Sequence, residues 1–118
     1  MTGQHHTIDY VELGVTDLAQ TRAFYEQAFG WEFVDYGPSY AGIRGPGGDG
    51  EVGGLDAARS PASGGVLVLL YSDDLEASVA DVRAAGGTVL VDPYEFPGGR
   101  RFHFVDPSGN ELGVWSAS

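Results

Sequence analysis

The sequence predicts an α+β fold built from a duplicated unit, and three observations carry that expectation. A strand pattern followed by a helix pattern opens the chain, the same order returns in the second half, and each half closes on short strands and turns. In Tyr10-Val11-Glu12-Leu13-Gly14-Val15, residues Val11, Leu13 and Val15 share one face, so the spacing predicts a strand half buried against a core. The other face then carries Ile8, Tyr10, Glu12 and Gly14. Asp17 with Gln20 three residues on suits a helix start, Leu18, Thr21, Tyr25 and Ala28 fall on one side, and Gly30 suits its end. In the second half, Val66 to Tyr71 reads as a strand. Asp73 and Glu76 suit a capping box, and Leu75, Val79 and Val82 repeat at helical spacing before Gly86-Gly87.

Matching Asp17-Leu18 to Asp74-Leu75 offsets the two copies by 57 residues, and matching Gly50-Glu51-Val52-Gly53 to Asn110-Glu111-Leu112-Gly113 offsets them by 60. Asp106-Pro107-Ser108-Gly109-Asn110 is a strong reverse turn, because proline presets one dihedral and glycine accepts a positive one. The Gly45, Gly47 and Gly50 spacing resembles a dinucleotide fingerprint, but no helix opens after it, so a loop is expected. The expected organisation is one domain over residues 1–118: module one about 7–56, a linker about 57–65 and module two about 66–118.

Composition removes whole classes of function. The chain has no cysteine, and its six basic residues are all arginine, so thiol and Schiff-base chemistry are excluded. Seventeen acidic residues bring the net charge to -11, which repels a phosphate backbone and an anionic membrane surface alike, so neither nucleic acid nor membrane is an expected partner. The polar N-terminal stretch and the absence of a long apolar run point to the cytoplasm.

Three phrases, Val15-Thr16-Asp17-Leu18, Phe24-Tyr25-Glu26-Gln27-Ala28-Phe29-Gly30-Trp31 and Phe104-Val105-Asp106-Pro107-Ser108-Gly109-Asn110, resemble the vicinal oxygen chelate superfamily in their order along the whole chain. That superfamily includes glyoxalase I, bleomycin-resistance proteins and extradiol dioxygenases. The resemblance implies two tandem βαβββ modules whose curled mixed sheets enclose a cavity. It also implies metal ligands at a histidine on the first strand and a glutamate on the last strand of each module. Counted from Asp17 and Asp106, those positions hold Tyr10, Leu67, Gly53 and Gly113, which form no ligand set, so neither a metal nor another cofactor is expected. Glu12, Glu51 and Glu111 lie two residues from three of these positions, which leaves a displaced carboxylate site as an alternative. Glycine at the ligand places is expected to leave a roomy pocket flanked by Tyr10 and Trp115.

A hairpin centred on Pro107 to Gly109 pairs Phe104 with Leu112 and His103 with Gly113. Leu112 and Val114 then belong to the core, while Arg101, His103, Glu111, Gly113 and Trp115 face the cavity. Candidate ligand-binding residues are therefore Tyr10, Glu12, Gly53, Leu67, Arg101, His103, Glu111, Gly113 and Trp115. Histidine is a residue type suited to acid or base work, which marks His103, and Arg101 suits an anionic group; His5 and His6 read as an N-terminal arm. The first reading is a metal-free small-molecule binder that sequesters a drug or metabolite. The alternative is a metal-independent isomerase or lyase acting on a carbonyl compound, with Glu12 and His103 as acid and base. A third option is a scaffold whose cavity is filled by its own side chains. The resemblance also implies a homodimer.

Overall fold

The computed structural model describes residues 3–118; Met1 and Thr2, where the polar N-terminal stretch begins, lie outside the described residues. Module one contains β1 (Val11–Gly14), α1 (Leu18–Phe29), β2 (Phe33–Asp35), β3 (Tyr40–Arg44) and β4 (Glu51–Asp56). Module two repeats the order with β5 (Leu69–Tyr71), α2 (Leu75–Ala84), β6 (Thr88–Phe96), β7 (Gly99–Val105) and β8 (Glu111–Ser116). Each module is a four-stranded mixed sheet, ordered β1-β4-β3-β2 and β5-β8-β7-β6, with its first and last strands as parallel neighbours.

The helix signals act as the sequence suggests, with one shift. Asp17 caps α1 by accepting the Gln20 N–H, and Gly30 ends it in the left-handed region at φ 71°. In module two the cap is Asp74, which accepts from Ala77, one residue later than the Asp73 expected. The Ser72 hydroxyl fixes the entry by bonding the Asp74 N–H and carbonyl. Strand β5 begins at Leu69, so the predicted strand loses Val66 to Val68.

One core unites the modules. Helix α1 buries Thr21, Phe24, Tyr25 and Ala28, and the Phe24 and Phe29 rings lie 5.9 and 5.5 Å from Phe104 of β7. Phe102, Phe104, Leu112 and Val114 of the second sheet join Ala41, Ile43 and Leu55 of the first, and Val15 just past β1, in the same cluster. A fully buried aromatic of this kind contributes on the order of 2–3 kcal/mol. Because the sheets meet through the faces that carry the helices, their other faces lie outside the core. The two sheets are therefore not closed around a single cavity, and in this respect the enclosed arrangement expected from the sequence is corrected.

The turn after β7 locks module two to module one. Asp106, 3 % exposed, accepts from the N–H groups of Ser108, Gly109 and Asn110, from the Tyr25 hydroxyl at 2.8 Å and from Asn110 Nδ2 at 3.0 Å. The Asn110 amide also donates to the Gly14 carbonyl and accepts from the linker N–H of Ala62. Helix, strand, linker and turn thus share one buried polar node, in which each group meets a partner.

A single extra residue in β4 breaks its match to β8. In β8 the partners of β7 run without interruption, Phe104 to Leu112 and His103 to Gly113. In β4, Ile43 pairs with Gly53 but Arg44 pairs with Glu51, so Val52 is a bulge. The offset of 60 holds before the bulge and falls to 59 after it: Leu13 pairs with Leu55 as Leu70 pairs with Val114.

Candidate functional site

That bulge decides which glycine faces outward. A Cβ on Gly53 would meet the Val11 carbonyl and the core side chain of Ile43, whereas a Cβ on Gly54 would meet the Tyr40 hydroxyl on the open face. Gly54, not Gly53, is therefore the counterpart of Gly113, whose Cβ would meet Leu69 Cδ2 at 2.5 Å and His103 Cδ2 at 3.8 Å. Neither glycine leaves room for a larger ligand, contrary to the expectation from sequence: the Tyr40 phenol lies over one and Leu69 over the other. Leu67, counted as the remaining ligand position, precedes β5 and belongs to no strand.

The open face of the first sheet is acidic and tyrosine-rich. Glu12 accepts from Arg59 Nε at 3.1 Å and from the Tyr40 hydroxyl at 2.9 Å, and Tyr40 is in turn bonded to the Tyr10 hydroxyl. Burial first, then the bonds to Tyr10 and Glu12, pushes the Tyr40 phenol well above its ordinary value and keeps it a donor. The Tyr36 hydroxyl donates to Glu51, and that bond is the main cause of its own upward shift.

The open face of the second sheet carries a continuous polar row. His103 Nδ1 lies 2.8 Å from Glu111 Oε2, and its Nε2 lies 2.9 Å from the Tyr94 hydroxyl, which also accepts from Arg101 Nε. A neutral imidazole with its proton on Nδ1 satisfies the whole row: Arg101 donates to Tyr94, Tyr94 to His103, and His103 to Glu111. The bond from His103, followed by that from the Ser63 hydroxyl, holds the Glu111 carboxyl below the ordinary carboxylate range. Beside the row stands an aromatic wall, with Trp115 edge-on to both Tyr71, at 5.0 Å, and Phe96, at 6.3 Å.

The structure therefore assigns the predicted residues to two faces. Tyr10 and Glu12 lie on the first, while Arg101, His103, Glu111, Gly113 and Trp115 lie together on the second. The carboxylate beside His103 is Glu111 rather than Glu12. Glu12 and Glu111 do line one cleft of about 360 Å³ under the linker, with Arg59 and Asn110, but His103 is not among its walls. A larger cleft of about 630 Å³ runs between the helix-side faces at the edges of β1 and β5, lined by Val11, Leu13, Ile43, Val68, Leu70 and Leu112. None of the candidate residues lines it, because apolar alternation marks such side chains as core. The sequence reading also missed Tyr40 and Tyr94. Tyr40 is legible as the residue two before Gly42 on an alternating strand; Tyr94 follows Pro93 in a strand with two register shifts, where alternation gives no signal.

The residues at the superfamily's metal positions do not fit a metal: a tyrosine, a leucine and two glycines supply no conventional donor set, and the space beside the glycines is filled. Among the described residues, no group of three or more His, Cys, Asp or Glu side chains is placed to hold a metal ion. Glu12, Glu51 and Glu111, the displaced carboxylates, are instead each bonded within their own surroundings.

A sequence profile of the glyoxalase/bleomycin resistance protein/dioxygenase superfamily matches residues 7–114. The chain is 28% identical over 125 residues to the Mycobacterium tuberculosis protein named "Putative glyoxylase CFP32", with 95% of this chain aligned. It spans 46% of that relative's length. A glyoxalase/bleomycin resistance protein/dioxygenase family enzyme from Burkholderia phytofirmans has a similar structure, with a TM-score of 0.74, 25% identity and coverage of 94% of this chain and 98% of that one. A lactoylglutathione lyase from Agrobacterium tumefaciens shares the fold at a TM-score of 0.71, 20% identity and coverage of 97% and 96%.

Proposed function

Because the chain belongs to the glyoxalase/bleomycin resistance protein/dioxygenase superfamily, we propose that it is a small-molecule-binding member that works without the superfamily's metal, sequestering a drug or metabolite. The observation that carries this reading is the second sheet's open face, where Glu111, His103, Tyr94 and Arg101 converge beside Trp115 and Phe96. A few fixed polar groups against an aromatic wall are what orient a small organic ligand. A homodimer belongs to the same reading: an open face of one protomer covered by its partner would bury the ligand and bring Glu12 towards the partner's polar row. No described helix is long and apolar enough to cross a membrane, and a cytoplasmic site of action fits that.

The hydrogen-bonded line from Glu111 through His103 to Tyr94 also favours a second reading, a metal-independent isomerase or lyase acting on a carbonyl compound. In it His103 exchanges a proton with the substrate, Glu111 orients the imidazole, and Glu12 serves as the opposing acid or base. A thermal-shift screen against aromatic antibiotics, small carbonyl compounds and transition metals tests both readings. A ligand at about a hundred times its Kd adds about 2.7 kcal/mol, so an organic hit is expected and is weakened in Glu12→Gln and His103→Asn. Turnover of that hit selects the enzyme. Stabilisation by metals alone refutes both readings, and no response to any class favours a scaffold.

A further inference from the structure

Four of the six arginines are paired with carboxylates: Arg22 with Glu26, Arg59 with Glu12, Arg83 with Asp92 and Arg100 with Glu76. Among the described residues, Arg44 and Arg101 have no carboxylate within 4.0 Å, although the chain carries seventeen acidic residues. Arg101 is the more constrained of the two. Its Nε is held by the Tyr94 hydroxyl, and its guanidinium carbon lies 5.4 Å from the Tyr94 ring centroid and 5.0 Å from that of Phe96. Across the strand pair its partner is Trp115. With Nε engaged, the four N–H groups of the terminal nitrogens remain as a planar fork, fixed in orientation and backed by aromatic rings.

We propose that Arg101 is an anion receptor and that the ligand of this face is a carboxylate carried on a flat aromatic body. The inference rests on the binding reading above and names the charge of the ligand. A guanidinium fork matches the two oxygens of a carboxylate, and holding it in advance lowers the entropy lost on binding. Phe96, Trp115 and Tyr71 supply the ring-stacking surface next to the charge. A single cation in a chain of net charge -11 favours a monoanion over a doubly charged phosphate. The Tyr94 hydroxyl ties the receptor to His103, so a group carried by the bound acid would lie near the imidazole. The first sheet's Glu12, Glu51 and tyrosines have the opposite preference, which makes the two faces chemically distinct.

Calorimetric titration of the full chain with benzoate, benzamide, benzylamine and phenyl phosphate tests the assignment, with Trp fluorescence as a second readout. Benzoate is expected to bind more tightly than the other three. Arg101→Gln is expected to weaken it roughly ten-fold or more, whereas Arg44→Gln, the other unpaired arginine, leaves it unchanged. Circular dichroism checks that both variants are folded, and Arg101→Lys, which keeps the charge without the fork, should fall between them. Equal loss in both glutamine variants, tighter binding of phenyl phosphate, or no benzoate binding overturns the proposal. If benzamide or benzylamine binds independently of Arg101, the anion assignment fails while the binding reading stands; if the broader screen also finds no ligand, the binding reading fails with it.

Discussion

Replacing Tyr25 by phenylalanine tests the lock between the modules without disturbing its packing. The Tyr25 ring is fully buried and stacks on Trp31 at 4.4 Å with 9° between planes, contacts that phenylalanine retains. What is lost is the hydroxyl bond to Asp106 at 2.8 Å. Burial, followed by the charge of Asp106, pushes the Tyr25 phenol well above its ordinary value, so it remains a donor across the working pH range. A hydrogen bond to a charged group contributes about 1.5–3 kcal/mol. At roughly 2.1 cal/mol/K per residue, a chain of 118 residues unfolds with an entropy of about 0.25 kcal/mol/K. The expected fall in Tm is therefore roughly 6–12 °C, read by circular dichroism at fixed protein concentration. The exposed Arg22–Glu26 pair is the control, since Arg22→Gln should cost about 0.3–0.5 kcal/mol and shift Tm by less than about 2 °C. If Tyr25→Phe also shifts Tm by less than about 2 °C, the node does not hold the modules together and the reasoning is refuted.

Three further outcomes follow from the geometry. Glu111 is held below the ordinary carboxylate range, so its bonds stabilise the fold above that range and lose their effect as pH falls through the depressed value. The Tm gap between wild type and Glu111→Gln should thus be open at neutral pH and close in acid; a gap that is unchanged at pH about 2 contradicts this. Elemental analysis of the purified protein should find no stoichiometric transition metal, and near one equivalent of zinc, nickel or iron would sink the metal-free reading. Light scattering at micromolar concentration should give a dimer mass; a monomer would leave the open faces uncovered and remove the shared-cavity part of the proposal.

The strand-to-helix order of each half was legible because capping and periodicity are local. Asp17 with Gln20 and the Leu75, Val79, Val82 spacing are written within a turn or two of the backbone. The hairpin that pairs His103 with Gly113 was equally readable from one strong turn. What the sequence hid is non-local. That Phe24 and Phe29 would pack on Phe104, joining the sheets by their helix faces, follows from shape complementarity across some eighty residues. Glu111 as the partner of His103 was close at hand, since both residues were placed on one face of the same hairpin; their contact depends on side-chain rotamers, which strand alternation leaves open.

The bulged Val52 gives β4 a phase slip that its counterpart β8 lacks. Residues before it keep one correspondence with the second half and residues after it another, so the two halves superpose only piecewise. A protein made from two copies of one unit faces a constraint: the copies begin as equals, and a ligand site symmetric between them cannot readily distinguish one end of a molecule from the other. An inserted residue removes that equality at once, because it displaces one wall of one copy while its hydrogen-bonded ladder resumes a residue later. Divergence of the duplicated halves can thus proceed by changes in counting as well as by substitution, and the tyrosine-rich face of one module and the Arg101-bearing face of the other belong to halves that differ in both respects.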